Sequence, residues 1–113
     1  MTGKYGYAGN ILKVDLSSGK ISSVSTTEYA KRFLGGRGIA ARIYWEEVAP
    51  ETKAFDFENR LMFMTGPMAG VSPGVGGIRW LVCGKSPTAN PEQFSYGFIG
   101  PSNLLKISKF HTR

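Results

Sequence analysis

A segment rich in glycine and proline contains the residue types best suited to contact a ligand. It runs from Gly66 to Gly77, holds five glycines and two prolines, and leads into Ile78 and Arg79. Glycine has no Cβ, so the backbone can approach a bound group closely. Arginine presents a rigid fork of donors that fits phosphate and stacks on planar rings. Spacing alone leaves two alternatives open: a ligand-contacting loop, or a surface loop with a solvated arginine.

Two shorter glycine patterns resemble nucleotide-binding motifs, and their surroundings argue against both. The segment Gly36–Ala41 fits a relaxed dinucleotide fingerprint, but that fingerprint needs a preceding strand, and here a helix is predicted. Gly84-Lys85-Ser86 resembles the end of a phosphate-binding P-loop. The first glycine of that motif would fall at Arg79, and Pro87 opposes the helix that must follow. A tight connection between two helices explains the first pattern better.

The cysteine and histidine content limits the chemistry that this chain can perform. Cys83 is the only cysteine and His111 the only histidine. An iron–sulfur cluster or a thiolate zinc site usually needs about three or four ligands, so this chain alone cannot hold one. A catalytic triad would have a single possible base, in a tail expected to fray. The sequence therefore predicts no catalytic and no metal-ligating residue here.

The charge is basic, with a formal net charge of +6 and a pI near 9.7. A basic balance favours an anionic partner, but only Lys106–Arg113 forms a local cluster. A solvated surface, or an interface with a larger acidic body, is therefore preferred to nucleic-acid binding. No apolar run reaches the roughly 20 residues of a membrane helix, and the first residues lack a signal-peptide core. We expect no membrane contact and a cytoplasmic location.

The elements that position these groups begin with a hairpin. Alternating apolar residues predict a strand over Asn10–Leu16, with Leu12, Val14 and Leu16 facing one way. A turn at Ser17–Lys20, with Gly19 at positive φ, returns the chain as a strand over Ile21–Val24.

Two helices are predicted next. Ser25 and Glu28 have the spacing of a capping box that starts the first helix, and Gly35-Gly36 ends it at positive φ. Apolar spacing predicts the second helix over Ile39–Val48, closed by Pro50.

The rest of the chain contains shorter elements. Strands are predicted at Leu61–Met64 and Ile78–Val82, with a turn at Lys85–Pro87 and an irregular stretch over Thr88–Gln93. Because strands and helices mix without regular βαβ alternation, the fold class is α+β, with mixed β-sheets, a hairpin start and short helices. We expect one domain over residues 1–113.

Five blocks in this order resemble the N-terminal domain of the aldehyde:ferredoxin oxidoreductase family, over roughly residues 5–105. Each block is short and unspecific alone, whereas their order and spacing are specific. The blocks are Gly9–Ile21, Phe33–Gly38, Glu58–Gly70, Arg79 with Lys85–Pro87, and Ser95–Gly100.

The resemblance implies an oxidoreductase that converts aldehydes or related oxo compounds to acids and passes the electrons to ferredoxin. The implied cofactor is tungstopterin or molybdopterin, a metal held by two pyranopterins beside a [4Fe–4S] cluster. This chain would form the base under the pterins. The remaining domains or subunits would carry the cluster ligands and the acid/base residues, so the chain alone would not be competent.

The resemblance also implies the cofactor-binding residues. An arginine in the loop matching Gly76-Gly77-Ile78-Arg79 contacts a pterin in the family, and that role passes to Arg79 with Gly76 and Gly77. The family's Asn-Ser-Gly-Gly segment also contacts the cofactor, which implies roles for Ser95 and Gly97.

This sequence departs from the family pattern at several positions. Ile78 is an extra residue, Phe94 stands where the family has asparagine, and Tyr96 replaces a glycine. Phe94 and Tyr96 favour an alternative function, a cofactor-free interaction or scaffold module derived from the same fold. Residues 102–113 diverge from the pattern and are expected to form a frayed tail, as in a truncated or split family member.

Overall fold

The computed structural model describes residues 6–67 and 79–99, with side chains on the last strand described through residue 97. This part of the chain forms two antiparallel sheets and two helices, which confirms the predicted α+β class. The elements in chain order are β1 Asn10–Asp15, β2 Lys20–Ser25, α1 Thr27–Phe33, α2 Gly36–Glu47, β3 Met62–Thr65, β4 Trp80–Ser86 and β5 Gln93–Ile99.

The predicted hairpin is confirmed as β1 paired with β2, in register from Asn10 opposite Ser25 to Asp15 opposite Lys20. Gly19 has φ 70°, as predicted for the turn. The Asp15 carboxylate accepts hydrogen bonds from the Ser18 hydroxyl (2.8 Å) and the Ser17 amide (2.9 Å). These bonds favour the ionised form and lower the pKa of Asp15.

The hairpin has one exposed apolar side, termed the hairpin face: Leu12, Val14 and Ile21, with Leu16 just beyond β1. Val14 and Ile21 lie opposite each other in the register. The exposed fractions range from 51% at Val14 to 91% at Leu16. The predicted alternation is therefore present, but it points the apolar residues to solvent.

The helix boundaries differ from the prediction. The capping-box prediction is wrong: Ser25 ends β2 and its Oγ accepts a 3.3 Å hydrogen bond from the Thr27 amide, while the N-cap residue is Thr26, which makes no side-chain cap bond. Leu34 takes a positive φ of 54° after α1, and Gly36 follows at 28°. The second helix begins at Gly36, three residues before the predicted Ile39.

The second sheet has the strand order β3-β4-β5. β4 runs to Ser86, beyond the predicted end at Val82, because Gly84 pairs with Ser95 and Lys85 with Phe94. The predicted turn at Lys85–Pro87 is therefore mostly strand. β5 was not predicted, and it covers the aromatic and glycine-rich segment after Gln93.

One side of this sheet packs against α2 and forms the core. Ala40 of α2 is fully buried, and Leu81 and Cys83 of β4 are 4% and 2% exposed. Because strand side chains alternate between faces, the sheet has two distinct sides. The helix face is Met62, Met64, Leu81, Cys83, Phe94 and Tyr96, and the open face is Phe63, Trp80, Val82, Gly84, Ser95 and Gly97.

Ion pairs connect the hairpin to this core. Glu47, at the end of α2, accepts a hydrogen bond from Lys13 of β1, and its second oxygen lies 3.7 Å from Arg60 Nε. Arg60 precedes β3, so this carboxylate links the end of α2 to two other segments. No helix within residues 6–67 and 79–99 has the length and apolar character needed to cross a membrane.

Candidate functional site

The open face carries a shallow depression of about 270 Å³. It lies where β4 and β5 pair, beside the residue that precedes β3. Its lining consists of Leu61 and of residues from the two strands: Val82, Cys83, Gly84, Lys85 and Ser86 of β4, and Ser95, Tyr96 and Gly97 of β5.

Small residues on neighbouring strands create this depression. The register places Val82 opposite Gly97 and Gly84 opposite Ser95, so three of the four positions carry little or no side chain. A Cβ built on Gly97 meets nothing within 4 Å, which means that a side chain there would project into open space. A Cβ on Gly84 would lie 2.6 Å from the Arg60 carbonyl oxygen. Gly97 therefore forms the floor of the depression. Gly84, by contrast, has no side chain that would clash with the backbone at Arg60, just before β3.

An aromatic pair lies on the same side of the sheet as Val82. The Phe63 and Trp80 rings stack with centroids 5.7 Å apart and planes at 29°. Phe63 is 59% exposed. The Trp80 indole Nε1 is buried and has no hydrogen-bond partner among the residues that the structure describes. Buried donors are nearly always paired, so this unpaired N–H on β4 is an exception.

The structure brings together only some of the predicted site residues. Ser95 and Gly97 both lie on the open face. Arg79 is exposed and directly precedes Trp80, about 10 Å along the strand from Val82 at ordinary strand rise. Gly76 and Gly77 lie outside the described residues. The Ser95 hydroxyl donates to the Gln93 carbonyl at 3.3 Å, a long bond that a better acceptor can replace.

Phe94 and Tyr96 lie on the helix face. The Phe94 ring packs against Tyr44 of α2, with centroids 4.7 Å apart. The Tyr96 hydroxyl accepts a hydrogen bond from Arg37 at 2.7 Å, and the guanidinium lies 4.7 Å from the ring centroid. Both side chains therefore have structural partners on α2, which accounts for them without a cofactor-free module.

The chemistry of Cys83 is that of a core residue. Its thiol faces α2 and lies 3.9 Å from the Met62 carbonyl oxygen. Burial raises the pKa of Cys83 to about 11, because the thiolate would lose its hydration. A thiol held neutral in this way is a poor metal ligand. Within the described ranges, no group of three or more histidine, cysteine or acidic side chains is placed to hold a metal ion.

Gly84 lines the depression, and Phe63 and Trp80 lie on the same side of the sheet; the sequence analysis singled out none of them for this site. The local sequence signal was weak, because all three belong to strands whose pairing partners lie far along the chain. Phe94, Tyr96 and Phe98 alternate with Ser95 and Gly97, a period of two that indicates a strand with small residues on one face.

Comparison with known proteins gives a consistent result. The family model described as "Aldehyde ferredoxin oxidoreductase, N-terminal domain" matches residues 11–103. A tungsten-containing aldehyde ferredoxin oxidoreductase of Pyrococcus horikoshii is 43% identical over 84 residues, which cover 74% of this chain and 14% of that protein. The WOR-like subunit of an aliphatic sulfonate oxidoreductase from Pyrococcus furiosus is 37% identical over 90 residues, 76% of this chain and 14% of that protein.

A solved structure is also similar. It is the active-site complex BamBC of benzoyl coenzyme A reductase with 1,5-dienoyl-CoA, at a TM-score of 0.70 and 38% identity. The match covers 81% of this chain and 14% of that one. The chain thus spans about 14% of the length of the relatives it matches.

Proposed function

This chain belongs to the aldehyde ferredoxin oxidoreductase family of oxidoreductases, and we propose that its open face is the floor under a tungstopterin or molybdopterin cofactor. The relatives named as tungsten-containing make tungsten the first candidate for the metal. The proposed activity is oxidation of aldehydes or related oxo compounds in the cytoplasm, with ferredoxin as the electron acceptor.

The depression over Gly97 is the observation that carries this proposal. Its floor lacks side chains, so a flat ring can lie directly against the strand backbone. The Ser95 hydroxyl is a donor in its lining. A pterin ring system is flat and rich in acceptors, so the residues present fit this group.

The charged residue of the site has a separate proposed role. Arg79 stands exposed beside Trp80, where its guanidinium would bind the anionic phosphate and dithiolene groups. Gly76 and Gly77 are proposed to let the backbone approach the same groups. When bound, the metal–pterin group supplies the redox chemistry, and the residues of this chain bind and orient it.

The chemistry that this chain does not supply is proposed to reside in other domains or subunits. Among the described residues lining the depression there is no carboxylate or imidazole to move a proton. The Lys85 ammonium donates to the Pro50 and Thr52 carbonyls instead. With a single cysteine, the chain cannot ligate a [4Fe–4S] cluster alone.

The test is metal and pterin analysis of the purified 113-residue chain from a host supplied with tungstate and molybdate. We expect tungsten or molybdenum to co-purify with phosphorus and with pterin, detected by fluorescence after oxidation. Arg79→Ala should lose most of the pterin, whereas Arg32→Ala, a matched exposed arginine on α1, should retain it.

Two outcomes would contradict the proposal. Wild-type chain that is free of both metal and pterin would show that the open face is not a cofactor floor. Equal loss of pterin in Arg79→Ala and Arg32→Ala would show that charge in general, and not the position of Arg79, retains it.

A further inference from the structure

Two phenylalanines in the segment after α2 are held out in solvent. Phe55 is 87% exposed and Phe57 is 93% exposed, with Asp56 between them and Glu58 next. Together the two rings present about 300–400 Å² of apolar surface, because a phenylalanine carries about 150–250 Å². An exposed apolar patch of this size, bordered by charged residues, often marks an interaction site. These four residues, Phe55 to Glu58, are termed the aromatic loop.

Hydrogen bonds fix the backbone on which the aromatic loop stands. The Ala54 amide, just before the loop, donates to the Glu92 carboxylate at 2.7 Å. The Ala54 carbonyl accepts from the Asn59 side-chain amide at 2.8 Å, and the Asn59 side-chain oxygen accepts from the Tyr44 hydroxyl of α2 at 2.9 Å. A loop held at both ends in this way loses little conformational freedom when it binds a partner.

A surface of opposite charge lies near the start of α2. Lys31 and Arg32 occupy the last turn of α1, and Leu34, which follows, is 73% exposed. These three residues are termed the basic corner. Residues 51–58 carry three carboxylates and one ammonium, whereas residues 31–34 carry two cations and no carboxylate. Within the described part of the chain, neither the aromatic loop nor the basic corner takes part in an ion pair, so the two do not meet in one molecule.

We propose that the aromatic loop of one copy of this chain docks on the basic corner of a second copy. Its phenylalanine rings pack against Leu34 and the Arg32 guanidinium, and its carboxylates face Lys31. The Arg32 guanidinium already lies 5.7 Å from the centroid of the Phe33 ring, a distance typical of cation–π contacts. This contact is separate from the proposed cofactor function. Because loop and corner are different surfaces, each added copy leaves one of each free for another.

Charge selects this pairing over the alternatives between two copies. Loop against loop places carboxylates together, and corner against corner places cations together, so both are disfavoured. The net charge of +6 repels copies at long range, but at about 0.15 M salt charges more than about 8 Å apart are largely screened. Groups in direct contact keep their attraction. The contact area is at the low end for protein interfaces, so we expect a dissociation constant on the order of 100 µM.

The test uses two variants that each lack one half of the contact. The loop variant, Phe55→Ser with Phe57→Ser, keeps the basic corner. The corner variant, Arg32→Glu with Leu34→Asn, keeps the aromatic loop, and asparagine tolerates the positive φ of 54° at position 34. Each substitution is at an exposed position, and thermal unfolding confirms that each variant is folded.

Sedimentation equilibrium at about 0.15 M salt measures the mass up to about 1 mM chain, roughly ten times the expected dissociation constant. The wild-type mass should rise above 12.3 kDa with concentration. Each variant alone should associate at least about tenfold more weakly. An equimolar mixture of the two should form a one-to-one dimer and stop there, because the loop of one variant and the corner of the other are the only matched pair.

The matched control is Leu16→Ser on the hairpin face, where the side chain is 91% exposed. This variant should associate like wild type, and loss of association in it would assign the contact to the hairpin instead. A wild-type chain that stays monomeric at about 1 mM would overturn the proposal, since that concentration is about tenfold above the expected dissociation constant. So would loop and corner variants that each associate like wild type, or a mixture of the two that stays monomeric.

Discussion

The two faces of the β3-β4-β5 sheet share a backbone but differ in what covers them. On the helix face, Leu81 and Cys83 are nearly inaccessible beneath α2. On the open face, Phe63 is mostly exposed, and three positions, Gly84, Ser95 and Gly97, carry little or no side chain. One face uses close-packed side chains to stabilise the fold, whereas the other leaves room for a group from outside. Substitutions should therefore affect stability on one face and binding on the other.

The largest expected effect comes from adjacent residues of β4 that point to opposite faces. Leu81→Ala removes a buried side chain and should cost about 2–5 kcal/mol of unfolding free energy. Val82→Ala, its neighbour on the open face, should cost about 1 kcal/mol or less, because its side chain is only half-buried. Urea denaturation measures both. Equal losses of unfolding free energy in the two variants would show that Val82 contributes to the core as much as Leu81 does.

An intermediate effect separates the two glycines of the open face. Gly84→Ala places a Cβ against the Arg60 carbonyl and should cost about 1–3 kcal/mol. Gly97→Val fills open space, so it should change stability by about 0.5 kcal/mol or less. The valine should nevertheless abolish retention of the pterin, which co-purification measures. A stable Gly97→Val chain that still retains pterin would mean that the floor lies elsewhere.

The smallest effect is the pH dependence of stability caused by Cys83. Its pKa is about 11 in the folded chain, above the value of 9.0 for an unburied thiol. Below about pH 9 the thiol is neutral in both states, and its contribution to stability is fully present. Between pH 9 and 11 the unfolded state loses its proton first, so stability falls as pH rises.

Denaturant midpoints at pH 8 and pH 10.5 check this, compared with Cys83→Ala. The wild type should lose more stability than the variant over this range, since other titrating groups are common to both. An identical pH dependence in the two chains would mean that the thiol is not held neutral by burial.

Local signals predicted much of the fold. The alternation of apolar residues and the position of Gly19 were sufficient to predict the hairpin, and the helical spacing of apolar residues predicted most of α2. The start of α2 at Gly36 was missed, because glycine is a poor helix former and a good terminator. β5 was missed because its glycine and aromatic content resembles a loop until its pairing with β4 is known.

The candidate site was less predictable than the fold. Ser95 and Gly97 were named from family resemblance, but their chemical setting depends on the register that places Gly97 opposite Val82. The Trp80 donor becomes visible only when its surroundings are known, since sequence alone cannot show whether an indole N–H is paired. These features depend on contacts between distant segments, which local pattern does not encode.

The hairpin face has a consequence for how copies of this chain behave toward one another. Each copy carries a charge of +6, so at low ionic strength the copies repel over a Debye length of about 10 Å or more. Added salt shortens that distance to about 3 Å at 1 M, while the attraction between the exposed leucine, valine and isoleucine side chains remains. Ionic strength therefore controls the colloidal state of the chain, and concentrated salt brings the hairpins of separate copies within reach of each other.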